Sequence, residues 1–203
     1  MQILLIRHGE NEFTHKGKLA GRLPGVHLNQ RGLAQARGLA AALKDQPLKA
    51  VYSSPLDRTL ETAQPIALSQ KREVTTRWGL EESDIGRWAG KTIRRLSRTK
   101  LWKQLQTQPS LFTFPGGESM RDQQARLVAE IEEIRAMHRA KDVVACVTHA
   151  DPIKLIIAYY LGLPLDLFQR IRVDTASVSR LHFSPEGFML ASLNERFGEV
   201  AGD

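Results

Sequence analysis

The segment Leu4-Leu5-Ile6-Arg7-His8-Gly9-Glu10 constrains this chain more than any other. An apolar strand over residues 2–6 runs directly into an arginine, a histidine and a glycine. That order sets an imidazole at the exposed carboxyl end of a buried strand, with a fixed positive charge beside it. Open α/β sheets bind their ligands at that edge. A second apolar run, Val143-Val144-Ala145-Cys146-Val147-Thr148, ends the same way, in His149. Arg58 follows a third, shorter strand signal at residues 50–53. Two strands that each deliver a histidine, with arginines beside them, predict one anion-binding pocket suited to phosphoryl chemistry.

Between these strands the periodicity is helical. Asn29 is a good cap for a helix with Leu33, Ala36, Ala40 and Leu43 on its apolar face. Ser54-Pro55-Leu56-Asp57 reads as a capping box with proline at the first helical position, which predicts a helix over 55–69. Residues 9–27 read as a functional loop. Residues 74–77 read as a short strand, and 78–90 as a loop holding Glu81 and Glu82. Residues 92–106 are basic and helical in pattern. Ser119, with Asp122 three residues on, opens a long amphipathic helix whose core face holds Leu127, Ile131 and Ile134. Asp151-Pro152 starts another helix, which Gly162 and Pro164 end. Residues 177–183 and 188–193 alternate around Ser184-Pro185-Glu186-Gly187 and predict a terminal hairpin. Strands alternating with helices argue for a three-layer α/β/α sandwich. No repeat or linker divides the chain, so one domain over 1–203 is expected, with 92–117 as a cap insertion over the site. The terminal hairpin would leave a sheet edge on which a homodimer could form.

Composition narrows the partners. The chain has 203 residues, the size of one ordinary domain, and 42% of them are apolar, enough for a packed core. Its 29 Lys and Arg against 22 Asp and Glu give a net charge of +7, which favours anionic partners. The charge is spread along the chain, so no nucleic-acid partner is expected. The run Arg94, Arg95, Arg98, Lys100 and Lys103 reads as a solvated helix face. No apolar stretch is long enough to cross a bilayer, so no membrane is expected either. The single cysteine, Cys146, permits no internal disulfide and points to a reducing compartment. With a strand starting at residue 2 and no leader pattern before it, the expected location is the cytoplasm.

His8 is the candidate nucleophile, because an imidazole nitrogen can attack phosphorus and hold the phosphoryl group. A lone histidine in a loop is ordinarily structural; its strand-end position between an arginine and a glycine favours chemistry here. Arg7 and Arg58 are candidate phosphate clamps, since guanidinium groups match phosphoryl oxygens and stay charged. The plain alternative for Arg58 is a surface ion pair with Glu61. His149 lies where a helix begins and free backbone N–H groups can also hold an anion. A protonated His149 could stabilise the phosphoryl oxygens. Glu82 or Glu81 could act as general acid and later as base; spacing does not choose between them, and one of the two is expected to be solvated. The histidines lack zinc-ligand spacing, and there is no Walker loop or dinucleotide fingerprint.

These blocks together resemble the histidine phosphatase superfamily, in its phosphoglycerate-mutase-like branch. Arg7-His8-Gly9-Glu10 is similar to its opening signature, and Ser53-Ser54-Pro55-Leu56-Asp57-Arg58-Thr59 through Thr62-Ala63 to its second block. Leu80-Glu81-Glu82-Ser83-Asp84-Ile85-Gly86 through Gly90 resembles the block carrying the acid, with the family glutamate falling on Glu82. Phe114-Pro115-Gly116-Gly117-Glu118-Ser119 and Thr148-His149 match two further blocks, so the resemblance covers nearly the whole chain. It implies a mostly parallel sheet between helices and His8 as phosphohistidine nucleophile. Arg7, Arg58 and His149 would form the phosphate pocket, and Glu82 would be the proton donor. Asn11, Thr14 and Ala150 would add phosphate or substrate contacts. No metal or cofactor is implied. Family members often carry asparagine at Thr14 and glycine at Ala150, and the loop 20–25 lacks an acidic residue often found there. Asp151 is expected to cap the helix that begins at Pro152.

The expected function is metal-independent hydrolysis of a small phosphomonoester through phospho-His8. One alternative is a phosphoglycerate mutase, which the short 92–117 segment disfavours. Another is a non-catalytic module that binds phosphorylated ligands, whose mark would be loss of His8, Arg58, Glu82 or His149; all four are present.

Overall fold

The first strand, β1 (Gln2–Arg7), is buried over its four central residues because both faces of the sheet are covered. Ile3 and Leu5 point to one side, Leu4 and Ile6 to the other, as the two-residue period of a strand requires. The computed structural model describes residues 1–197; residues 198–203, the end of the expected domain, lie outside the described residues. Around β1 lie β2 (Leu48–Ser53), β3 (Val74–Thr76), β4 (Val143–Thr148), β5 (Ser177–Ser184) and β6 (Gly187–Arg196). They form a single six-stranded sheet in the order β3-β2-β4-β1-β5-β6. The first four of these are parallel, and β5 and β6 add the expected hairpin antiparallel at one side. The fold is thus the expected three-layer α/β/α arrangement with a mostly parallel sheet.

Two helical layers cover the sheet. Helices α2 (Gln30–Leu43) and α3 (Asp57–Ser69) place Leu39, Leu43, Ala63 and Ile66 against Leu4, Ile6, Val51 and Val147. On the opposite face α6 (Met120–Ala136) and α7 (Ala150–Tyr160) place Leu127, Ile131, Ile153 and Ile156 against Ile3, Leu5, Val144 and Cys146. Cys146 is a free thiol with no exposure and packs as a small hydrophobe. The helix after β1 and the helix after β4 therefore lie on opposite faces, while β1 and β4 are neighbours. Such a switch point opens a crevice at the carboxyl ends of the two strands. Among the described residues, no helix is long and apolar enough to cross a membrane.

Several expectations shift. In α2 the buried residues are Gly32, Ala36, Gly38, Leu39 and Leu43, so the core face is rotated slightly from the one containing Leu33 and Ala40. Glycine at 32 is required by a close approach: a side chain there would meet the Glu10 carbonyl, and a Cβ on Gly9 would lie 2.7 Å from the Gly32 oxygen. The predicted capping box at Ser54 does not form. Helix α3 begins at Asp57 with Leu56 as its cap residue, and Ser54 Oγ bonds to His149 Nε2 at 2.9 Å instead. The expected single helix over 92–106 is broken into α4 (Ile93–Leu96) and α5 (Lys100–Thr107). The break follows from Thr99, whose hydroxyl donates to the Leu96 carbonyl and accepts from Trp102 N–H, ending one helix and capping the next. The loop 9–27 contains the short helix α1 (Glu12–His15), which sequence reading missed. Asn29 and Ser119 cap α2 and α6 as expected.

Candidate active site

Parallel pairing sets the two histidines side by side. Arg7 is in register with Thr148, so His8 and His149 are the next residues out of the sheet. Their ring centroids are 5.2 Å apart, edge to face. His8 is 3% exposed and His149 is fully buried. The His8 N–H bonds to the Thr148 carbonyl at 3.0 Å, and the Ser54 N–H to the Val147 carbonyl at 2.9 Å, locking the three strand ends together. His8 Nδ1 lies 2.7 Å from the Gly9 carbonyl. A carbonyl only accepts, so Nδ1 carries the proton and Nε2 keeps its lone pair. The Gly9 N–H is in turn held by the Thr62 hydroxyl on α3 at 3.0 Å. Burial, then Arg58 and Arg7, hold the His8 imidazole well below its ordinary pKa, which keeps it neutral.

The charged groups converge on the same cavity of about 350 Å³. Arg58, only 1% exposed, donates through Nη2 to the Gly21 carbonyl at 2.8 Å. It makes no pair with Glu61, which instead holds His27 and the Leu28 N–H. Arg7 donates through Nη1 to the Val173 carbonyl at 2.8 Å. Burial lowers both guanidinium pKa values, and both remain charged. Arg7 Nε, Asn11 Nδ2, Arg58 Nη1 and His149 Nδ1 are all buried without a hydrogen-bond partner among the described residues. Buried polar groups are normally paired, so a cluster of orphaned nitrogens around one histidine fits a ligand rich in oxygen acceptors.

Asn11 and Thr14 form a capping box at the start of α1. The Thr14 hydroxyl accepts from the Asn11 N–H at 3.0 Å and donates to the Asn11 carbonyl at 2.8 Å. Its proton is committed there, so Thr14 borders the cavity while fixing Asn11. Ala150 is the first residue of α7 and also lines the cavity; its N–H has no acceptor within the helix. The cap residue of α7 is His149, which corrects the expectation for Asp151. Asp151 sits inside the first turn, pairs with Lys154 Nζ at 3.1 Å and faces the cavity.

The structure separates the two glutamates. Glu82 lines the cavity, with Oε2 3.9 Å from His149 Nδ1. Glu81 pairs with Arg22 at 3.3 Å. Neither carboxylate is solvated: their side chains are 14% and 18% exposed for Glu81 and Glu82. Burial, followed by the charge of Asp151, pushes the Glu82 carboxyl up to about 6. The loop that carries it is tied on every side. Thr148 Oγ1 donates to the Leu80 carbonyl at 2.6 Å, Arg22 Nε to the Glu82 carbonyl at 2.9 Å, and Ser83 Oγ to Gln123 on α6 at 2.9 Å. Glu118 gathers Asp84 N–H, Arg22 and Arg126 on one carboxylate. Ser54, Thr62, Arg22, Glu118 and Gln123 were not singled out as site residues. Ser54, Thr62 and Glu118 carried a local signal, by lying within the recognised blocks; Arg22 and Gln123 carried none. His149, like His8, is held neutral in the free site, by burial and then Arg58, His8 and Arg7, so the protonated form expected for it is not the resting one.

A model of the histidine phosphatase superfamily (branch 1) matches residues 3–196. Phosphoserine phosphatase 1 of Hydrogenobacter thermophilus is 32% identical over 196 residues, covering 96% of this chain and 92% of that protein. A 2,3-bisphosphoglycerate-dependent phosphoglycerate mutase of Thermoplasma acidophilum is 28% identical, covering 87% of this chain and 84% of the mutase. The crystal structure of a phosphoserine phosphatase from Entamoeba histolytica, in complex with 3-phosphoglyceric acid, matches with a TM-score of 0.87 at 27% identity over 96% of each chain. A strand-end histidine pair beside the buried Arg58 and the half-buried Arg7, set in a fold shared with these proteins, leaves one assignment: the chain belongs to the histidine phosphatase superfamily, branch 1.

Proposed function

We propose that the chain hydrolyses small phosphomonoesters without a metal, through a phosphohistidine at His8. The single observation that carries this reading is the free Nε2 of a neutral His8 among orphaned, buried nitrogen atoms of Arg7, Asn11, Arg58 and His149. The Nε2 lone pair attacks phosphorus and the ester P–O bond breaks. Glu82, protonated, gives its proton to the leaving oxygen. Its carboxylate then takes a proton from water, which attacks phosphorus. The P–N bond breaks, and inorganic phosphate leaves with Nε2 restored. Arg7 and Arg58 balance the charge on the equatorial oxygens, and positioning plus charge is most of what such a transition state needs. Asn11 Nδ2 and the Ala150 N–H add donors. Arrival of a phosphate dianion favours the protonated form of His149, which then donates through Nδ1.

The segment 92–117 acts as the cap in this reading, since Ile93, Trp102, Leu105 and Phe114 line the cavity. Its shortness leaves the site open to water and favours hydrolysis over return of the phosphoryl group to a second substrate. The name of the Hydrogenobacter relative makes phosphoserine the first substrate to try. The buried free Cys146 fits the cytoplasm. The test is phosphate release from a panel of phosphomonoesters with EDTA present, for wild type and His8→Ala, beside a phosphoglycerate isomerisation assay. Release that persists with EDTA and vanishes in the variant is expected. Isomerisation without release would favour the mutase, and near-full activity in His8→Ala would overturn the mechanism.

A further inference from the structure

The cavity has a second wall that the chemistry at His8 does not use. Besides Arg7 and Arg58 the cavity is lined by Phe13, Leu19, Ile93, Trp102, Leu105 and Phe114. Ile93 is 39% exposed, and Phe13, Leu19 and Trp102 are half-buried, so apolar surface faces the opening beyond what the core covers. Trp102 is the best fixed of these. Its indole stacks on buried Trp88 with centroids 5.8 Å apart at 26°, and Trp88 is itself held by Phe112 and Phe114 at 5.5 Å each. Thr99 caps the turn at the Trp102 N–H. On α5 the spacing 102, 105, 106 directs Trp102, Leu105 and Gln106 to the cavity, while Lys100 and Lys103 are exposed. A fixed aromatic ring in the same cavity as a phosphate site is the usual construction of a pocket in which a few polar groups orient an apolar ligand.

We infer that this wall selects phosphomonoesters whose leaving group is flat and apolar, of aryl or nucleobase size, over esters of small hydroxy-amino acids, and that Trp102 is the selecting residue. The inference rests on the phosphatase reading and adds a leaving-group class to it. A flat ring would lie along the indole with its phosphate at His8, burying apolar surface on both. A serine leaving group has no comparable surface to bury there.

The test compares kcat/KM for benzyl phosphate and phosphoserine. Both are primary alkyl esters, so the bond broken is of one kind and the difference reports the leaving-group contacts. Wild type should favour benzyl phosphate by about tenfold or more, the range that one apolar contact surface supplies. Trp102→Ala should lower that ratio by a similar factor, mainly through KM, and Trp102→Phe should restore most of it. Ile93→Ser, at an exposed position, should lower the ratio in the same direction and decides the matter if Trp102→Ala does not fold. A wild type that prefers phosphoserine, or a ratio unmoved by the folded variants, overturns the inference and leaves the phosphatase reading standing. No phosphate from either ester or from the wider panel overturns both.

Discussion

At the scale of single residues, the proposed chemistry asks for two groups in opposite protonation states. His8 is pushed toward the neutral form by burial and two arginines, while Glu82 is pushed toward the protonated form by burial and Asp151. A nucleophile must be free of its proton and a general acid must hold one, so both shifts run in the useful direction. The sign gives a pH profile. His8 stays neutral well into the acid range, and Glu82 loses its proton as pH rises through about 6. Turnover in kcat/KM should therefore decline on the alkaline side near that value. Asp151→Asn removes a like charge and should move the decline to lower pH; an unmoved limb, or one moved upward, would show that Asp151 does not act on Glu82. Glu82→Gln should slow turnover by roughly a hundredfold or more, the worth of a positioned acid. Glu81→Gln should do far less, because Glu81 is spent on Arg22. Single-turnover rates for the two variants check the order.

At the scale of elements, the packing of loops on helix starts decides where the side chains point. The loop after β1 lies so close to the start of α2 that Gly9 and Gly32 face each other without side chains. Gly32→Ala should destabilise the fold by about 1–3 kcal/mol, the usual cost of forcing an extra carbon into a packed contact, read as a lower urea midpoint. The elements themselves were largely legible. Asn29 and Ser119 mark helix starts by hydrogen bonds local in sequence, and β1 and β4 are plain apolar runs. Ser54 was misread because its partner, His149, is 95 residues away, and a buried imidazole took the hydroxyl that a local rule assigned to a helix cap. Asp151 was misread for the converse reason: His149 supplies the cap position of α7, and Lys154, one turn on, takes the carboxylate. Thr99 went unnoticed as a helix break because the apolar spacing on either side of it continues.

At the scale of the whole molecule, the sheet order brings together what the chain separates. His8, Arg58, Glu82 and His149 come from four segments, and they meet because β4 inserts between β1 and β2. The strand ends that carry the histidines could be read from the sequence, since an apolar run followed by a polar one needs no tertiary knowledge. The strand order could not, and with it went the support behind Glu82: Arg22, Glu118, Gln123 and Thr148 hold that loop by contacts spanning many elements. The choice of Glu82 over Glu81 came from family resemblance; in the structure Glu82 lines the cavity and Glu81 does not.

The proposed chemistry turns on a covalent bond between phosphorus and His8 Nε2. The most direct measurement is to mix the protein with para-nitrophenyl phosphate, quench within a turnover, and locate any added phosphoryl group by mass spectrometry of peptides kept at alkaline pH. Wild type should carry a phosphoryl group on His8, and His8→Ala should carry none at that position. Release of phosphate at full rate with no phosphorylated protein at any quench time, or a phosphoryl group on another residue that persists in His8→Ala, would contradict the proposed chemistry.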